Sequence, residues 1–349
     1  MFVPRSPEMG LAWCHDAVQD VSRTFALTVD ALEEPMASRV CLGYLLCRVA
    51  DTVEDAPELP PGTRADLLRT YRAALDPGNN TEMSDFRTAV DPWLPAPADR
   101  SEDWAVVAEA PTVWTAFRDQ PEPVQRAVLP PVREMVGGMA DFVERHAGHG
   151  GLRIADRAEL ERYCHYAAGT VGTLITNLLT TDLPRERARP LYDTAEGFGR
   201  FLQLINISKD VYDDYTEENN VYLPATWLAE EGVDPEAVLD PDNRVAAARV
   251  VARTADHARS FRDDAQAYLE AMPLVDGNTM AAWSVPFLLG VGTLRELTAR
   301  PADALTEGGV TVSREEVLAV MTAAEDAGRD ALDDLRETIA REPYHLAHS

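Results

Sequence analysis

The sequence predicts an all-α protein, one large helical domain around a central apolar cavity. Apolar residues recur at i, i+3 and i+4 along most of the chain, period-two alternation is rare, and Pro- or Gly-rich breaks separate the periodic stretches. In order, the helical pattern covers residues 11–32, 36–55, 64–75, 123–146, 156–179, 191–215, 244–269, 277–297 and 314–340. Pro57 and Pro60-Pro61-Gly62 stop the second of these, because proline cannot continue a helix. Asp76-Pro-Gly-Asn-Asn80, Asp91-Pro-Trp-Leu-Pro-Ala-Pro97 and His146-Ala-Gly-His-Gly-Gly151 read as turns or loops, and Asp240-Pro-Asp-Asn243 precedes another helix. No linker forces a split and no repeat period is visible, so residues 1–349 read as a single domain.

Charge narrows the function. A net charge of −27 argues against nucleic acid, which needs a basic surface to neutralise phosphate. The 32 basic residues include only one lysine, Lys209. Many acids with almost no lysine is the composition expected of a halophile, whose salt screens acidic self-repulsion within about 3 Å at 1 M. Cys14, Cys41, Cys47 and Cys164 form no CxxC pair, and buried reduced thiols are expected. The N-terminus lacks the apolar run of a signal peptide, and no stretch reaches the ~18 apolar residues of a membrane span. The reading is a cytoplasmic protein, monomer favoured, with peripheral membrane contact left open.

The most informative feature is a pair of acidic boxes, Asp51-Thr-Val-Glu54-Asp55 and Asp210-Val-Tyr-Asp213-Asp214. Residues four apart share a helix face, so Asp51 can point with Asp55, and Asp210 with Asp214. Spacing alone is weak. Random placement gives ~0.5 matches to D-x-x-[DE]-D. The chain holds four, including Asp99-Arg-Ser-Glu-Asp103 and Asp330-Ala-Leu-Asp-Asp334. Context separates them. The boxes at Asp51 and Asp210 end strongly apolar helices, where unpaired carboxylates are costly and call for a cation. The Asp99 box lies in a Pro-rich polar stretch, and the Asp330 box reads as a solvated helix face. Two acid boxes facing each other across an apolar interior would suit Mg2+, a hard cation that binds one or two carboxylates plus substrate phosphates.

Other residues gather near the boxes. Arg48 lies one turn before Asp51, Tyr44 a further turn back, and Arg23 in Ser22-Arg23-Thr24-Phe25 offers a second guanidinium fork for phosphate oxygens. Gln203 and Asn206 are amides on the stripe leading to Asp210, expected to pair or to line a polar cavity. Tyr163-Cys-His-Tyr-Ala-Ala-Gly-Thr-Val-Gly172 places glycines in a helix, from a need either for close packing or for room beside a long apolar ligand.

Taken together, Ser22-Arg-Thr-Phe25, Tyr44–Asp55, Tyr163–Gly172 and Phe201–Asp214 resemble the head-to-head prenyl synthases, the squalene and phytoene synthase family. Their order and separations match over residues of about 11 to 224, and the later third matches loosely around Trp283-Ser-Val-Pro286. The first box, Tyr163-Cys-His-Tyr166 and Phe201-Leu-Gln203 look more like the squalene than the phytoene branch. The resemblance implies an isoprenoid-synthase fold. It implies condensation of two farnesyl diphosphates to presqualene diphosphate, then NADPH-dependent reduction to squalene. The alternative is a phytoene or dehydrosqualene synthase that does not reduce. Carried over, Asp51, Glu54, Asp55, Asp210, Asp213 and Asp214 would hold Mg2+, for which Mn2+ can stand in. Arg23, Arg48 and Lys209 would neutralise phosphate. Ser22, Phe25, Tyr44, Gln203 and Asn206 would line the substrate site. Tyr163, with Arg48, Asp51 and Asp210, would be catalytic. The chain departs from many relatives at Glu217-Glu-Asn-Asn220, where a basic residue is usual, and at Phe287, where a Gln is common. No G-x-G-x-x-G fingerprint is present, so NADPH rests on the resemblance alone.

Overall fold

The computed structural model describes residues 7–273, 279–326 and 328–347. The helices begin with α1 (Pro7–Val21), α2 (Arg23–Asp30), α3 (Met36–Glu54), α4 (Pro61–Ala74), α5 (Met83–Val90), α6 (Glu102–Ala108), α7 (Ala110–Arg118) and α8 (Glu122–Arg145). They continue with α9 (Arg157–Cys164), α10 (Thr170–Thr180), α11 (Arg185–Lys209), α12 (Val211–Glu218) and α13 (Ala225–Glu230). The last are α14 (Arg244–Arg259), α15 (Arg262–Ala271), α16 (Thr279–Ala299), α17 (Arg314–Asp326), α18 (Leu332–Arg341) and α19 (Tyr344–Ala347). Among the described residues β structure is confined to isolated bridges, one of them a parallel bridge between Arg153 and Val221. No described helix is long and apolar enough to cross a membrane.

The chain divides into two compact units, Met1–Gly150 with Thr170–Ala188, and Gly151–Gly169 with Arg189–Ser349. In the first, α3 is the central helix and packs against α1, α4, α6, α7, α8 and α10. Its apolar run explains this: Val40, Cys41, Leu42, Leu45 and Leu46 are at most 1% exposed, and a helix apolar nearly all round must be covered on all sides. The Tyr71 hydroxyl donates to the Leu46 carbonyl at 2.9 Å and ties α4 to α3. In the second unit α16 takes the equivalent role and packs against α14, α15, α17 and α18. Phe201 of α11 meets Phe287 of α16 with ring centres 5.4 Å apart. The approach leaves no space for a side chain at position 290, where a Cβ would lie 3.0 Å from Phe201.

Several expected helices are interrupted. The 11–32 stretch breaks at Ser22, whose extended backbone and hydroxyl cap α2 by accepting from Phe25 N–H. The 156–179 stretch passes through a π turn at His165–Gly169. The 191–215 stretch breaks at Asp210, and the 314–340 stretch at the extended Gly328 and the turn Arg329–Ala331. Residues 277 and 278, expected to open a helix, lie outside the described residues, and α16 is described from Thr279.

Two acidic candidate sites

The first site forms where α3 ends. Asp51 lies in its last turn and Asp55 is its C-cap, with the Asp55 N–H donating to the Asp51 carbonyl at 2.9 Å. The unsatisfied carbonyls of a helix C-terminus are partly negative. Carboxylates there add negative charge to negative charge, and α3 has no basic residue in that turn. Burial, and then the charge of Asp51, push the Asp55 carboxyl up to about 7, against the pull of Arg48 and Arg64. Arg64 donates to the backbone carbonyls of Glu54 and Gly150 at 2.7 and 3.0 Å, which holds the loop beside the box. Glu54 itself is 2% exposed, whereas Asp51 and Asp55 are half-buried.

Arg48 and Tyr44 continue along the same helix. Arg48 Nε donates to Asp103 Oδ1 at 2.7 Å. Burial opposes the Arg48 charge, but Tyr44, Asp103 and Asp51 outweigh it and raise its affinity for the proton. Burial pushes the Tyr44 phenol up, while Arg48 and a hydrogen bond with Ser22 pull it down. Phe25 stacks on Tyr44 with ring centres 4.0 Å apart. The structure thus brings together Ser22, Phe25, Tyr44, Arg48, Asp51 and Asp55. The side chain of Arg23 lies outside the described residues. Asp103 was missed: its box reads as a polar loop, yet α6 packs on α3 and delivers it to Arg48. No local signal marks that contact, because it joins positions 55 residues apart.

The second site forms where α11 meets α12. Asp210 is the N-cap of α12, and Asp213 and Asp214 occupy its first turn, where the helix dipole favours carboxylates. The break is set from a distant loop. Gly309 has φ 54° and packs so tightly on the Lys209 carbonyl that a Cβ would lie 2.7 Å from it. Burial pushes the Asp210 carboxyl up, Lys209 pulls it down, and Asp213 adds repulsion. Lys209 Nζ donates to Asp210. Gln203 is half-buried, but Asn206 is exposed, not a buried amide, because its stripe on α11 opens outward before the break.

Tyr163 lies at the end of α9, just before the π turn, and is 5% exposed. Gly199 of α11 approaches that turn closely: a Cβ there would lie 2.5 Å from the Ala168 carbonyl. Close packing therefore has a direct witness here, on a glycine the sequence did not single out. The Tyr163 hydroxyl donates to Tyr222 Oη at 3.1 Å, and the two rings sit 4.8 Å apart. Tyr222 follows α12 on a strand-like segment framed by Arg153, which donates to Glu236 Oε1 at 2.8 Å and to Asn219 Oδ1 at 2.8 Å. Gly151 is required in that frame, because a Cβ would lie 1.9 Å from the Asn219 carbonyl.

Both boxes offer only oxygen donors, which suits a hard cation. Among the described residues no three carboxylate, imidazole or thiol side chains converge on one point. The crowding of the Asp55 carboxyl by burial and by Asp51 is what a cation would relieve.

The chain matches the squalene/phytoene synthase family over residues 18–316. It belongs to the squalene/phytoene synthase family. Botryococcus squalene synthase from Botryococcus braunii is 27% identical over 289 residues, 82% of this chain and 57% of that protein. Squalene synthase from Homo sapiens is 28% identical over 221 residues, 62% of this chain and 47% of that protein. The chain spans about half the length of the curated relatives it matches. A TcSQS complex with the ligand BPH1237 has a TM-score of 0.76 at 22% identity, over 98% of this chain and 100% of that one. A dehydrosqualene synthase complex has a TM-score of 0.61 at 21% identity, over 91% and 96%. The all-α isoprenoid-synthase fold expected from the motifs is the fold these family structures share with it.

Proposed function

We propose that the chain is a squalene synthase that joins two farnesyl diphosphates head to head and reduces the product to squalene. The observation that supports this most is the Asp51–Asp55 end of α3, where burial holds a carboxyl up at about 7 in a protein of this family. Such a group is costly alone and useful once a cation and a diphosphate arrive. Asp51, Glu54, Asp55, Asp210, Asp213 and Asp214 are the proposed Mg2+ ligands. Bound there, Mg2+ or Mn2+ would supply the positive charge that a diphosphate needs on leaving an allylic carbon. Arg48 and Lys209, with Arg23, bind phosphate oxygens. Ser22, Phe25, Tyr44, Gln203 and Asn206 line the prenyl substrate. Tyr163 presents a buried phenol to the cation left behind. Reduction by NADPH rests on likeness to proteins named squalene synthase. Among the described residues no dinucleotide site stands out. We place the enzyme in the cytoplasm as a monomer adapted to high salt.

A non-reducing reading has its own support: one solved relative is a dehydrosqualene synthase, and another relative is named presqualene diphosphate synthase. Product identification separates them. The purified chain is incubated with farnesyl diphosphate and Mg2+ in high salt, with and without NADPH. Squalene formed only with NADPH supports the proposal. Dehydrosqualene in both conditions, accumulation of presqualene diphosphate, or activity only on geranylgeranyl diphosphate would replace it with the corresponding narrower enzyme.

A further inference from the structure

We infer that Tyr222, held by Asn220, is a positioning residue that sets the direction of the Tyr163 hydroxyl. The inference rests on the reading above in which Tyr163 faces the prenyl cation. The geometry is closed on several sides. Tyr163, Asn220 and Tyr222 are 5%, 2% and 7% exposed, so bulk water does not compete for their hydrogen bonds. The Asn220 amide cannot turn over without loss, because its Oδ1 accepts from Leu152 N–H at 2.8 Å while its Nδ2 donates to Glu218 Oε2 at 3.0 Å. That orientation aims the same Nδ2 at Tyr222 Oη, 3.1 Å away. Tyr222 Oη therefore receives from Asn220 and from Tyr163 at once, using both acceptor sites of a phenol.

The consequence falls on Tyr163. Its proton is engaged by Tyr222, so the negative end of its hydroxyl dipole is turned away from Tyr222. A lone pair presented that way stabilises a neighbouring carbocation, whereas an O–H presented the same way would repel it. The same asparagine donates its backbone N–H to the Asp214 carbonyl at 2.8 Å and so closes α12, the helix that carries the second acid box. Asn220 thus fixes the end of the box helix and the orientation of Tyr163 through Tyr222. The segment after the second box has this positioning role here.

Tyr222→Phe keeps the ring and removes the acceptor. The expected result is a kcat about tenfold lower with KM within about twofold, since one oriented dipole is worth about 1.4 kcal/mol at that ratio. Melting temperature should change little, and a larger share of substrate should end as water-quenched prenyl alcohol. Tyr222→His keeps an acceptor on a ring and should recover part of kcat. With 3-fluorotyrosine incorporated, the fluorine signal assigned to position 163 by Tyr163→Phe should shift in Tyr222→Phe. An unchanged kcat, a loss that follows melting temperature alone, a Tyr222→His variant no better than Tyr222→Phe, or an unmoved fluorine signal overturns the inference. Wild-type protein that releases no diphosphate would sink the functional reading instead, and the fluorine arm would still report on the tyrosine pair.

Discussion

Asp55 carries a charge that the fold disfavours. At the residue scale this gives opposed effects on stability and activity. Asp55→Asn removes a carboxylate crowded by burial and by Asp51, so in metal-free buffer its melting temperature should equal or exceed that of wild type. Its turnover should fall, and the two measurements together test whether the strain serves function. His257 tests the electrostatics of the second unit. Burial, reinforced by Arg157 and opposed by Glu161, lowers the affinity of its ring for a proton. A histidine depressed on folding contributes stability above its unfolded value of about 6.5, and this is lost as pH falls through the lower folded value. Melting temperature should therefore drop more steeply below about pH 6.5 in wild type than in His257→Gln. The thiols behave oppositely: burial pushes Cys164 up to about 12, so it stays protonated at neutral pH and structural, as its apolar neighbours in sequence suggested. Arg48, Asp51 and Tyr44 were legible because helix spacing aligns them. Asp103 and Tyr222 were not, because each reaches its partner across distant chain.

Among the elements, apolar periodicity located the long helices and overlooked where they break. A period-3.6 pattern continues in the sequence through Ser22, Asp210 and the 165–169 segment, where the helix breaks or widens. What makes the breaks is a cap, a glycine loop packed on Lys209, and a neighbouring helix pressed on a π turn. Only the first of these is local, and Ser before an apolar run is a readable cap. The short helices α5, α6, α7 and α13 were missed because a turn or two carries too few apolar repeats to register. The packing on the π turn is testable. Gly199→Ala puts a methyl 2.5 Å from the Ala168 carbonyl, and strain of this kind costs about 1–3 kcal/mol. A lower melting temperature is expected, with turnover reduced if the turn that follows Tyr163 shifts.

For the whole molecule, charge and domain organisation make their own predictions. A net charge of −27 on 349 residues implies self-repulsion that salt relieves. Melting temperature should rise continuously from dilute buffer to molar KCl, and a flat response would remove the halophile reading. The proposal that residues 1–349 act as one domain predicts a single calorimetric transition, where two separated transitions would assign independent stability to the two units. The central claim is that both acid boxes hold metal for diphosphate departure. Its most direct test is release of diphosphate from farnesyl diphosphate by wild type, Asp51→Asn and Asp210→Asn, with Mg2+ and after chelation. We expect release by wild type only with metal, and each variant slower by about 10²–10³-fold, the usual cost of one lost transition-state stabiliser. Wild-type rates in either variant, or undiminished release after chelation, would contradict it.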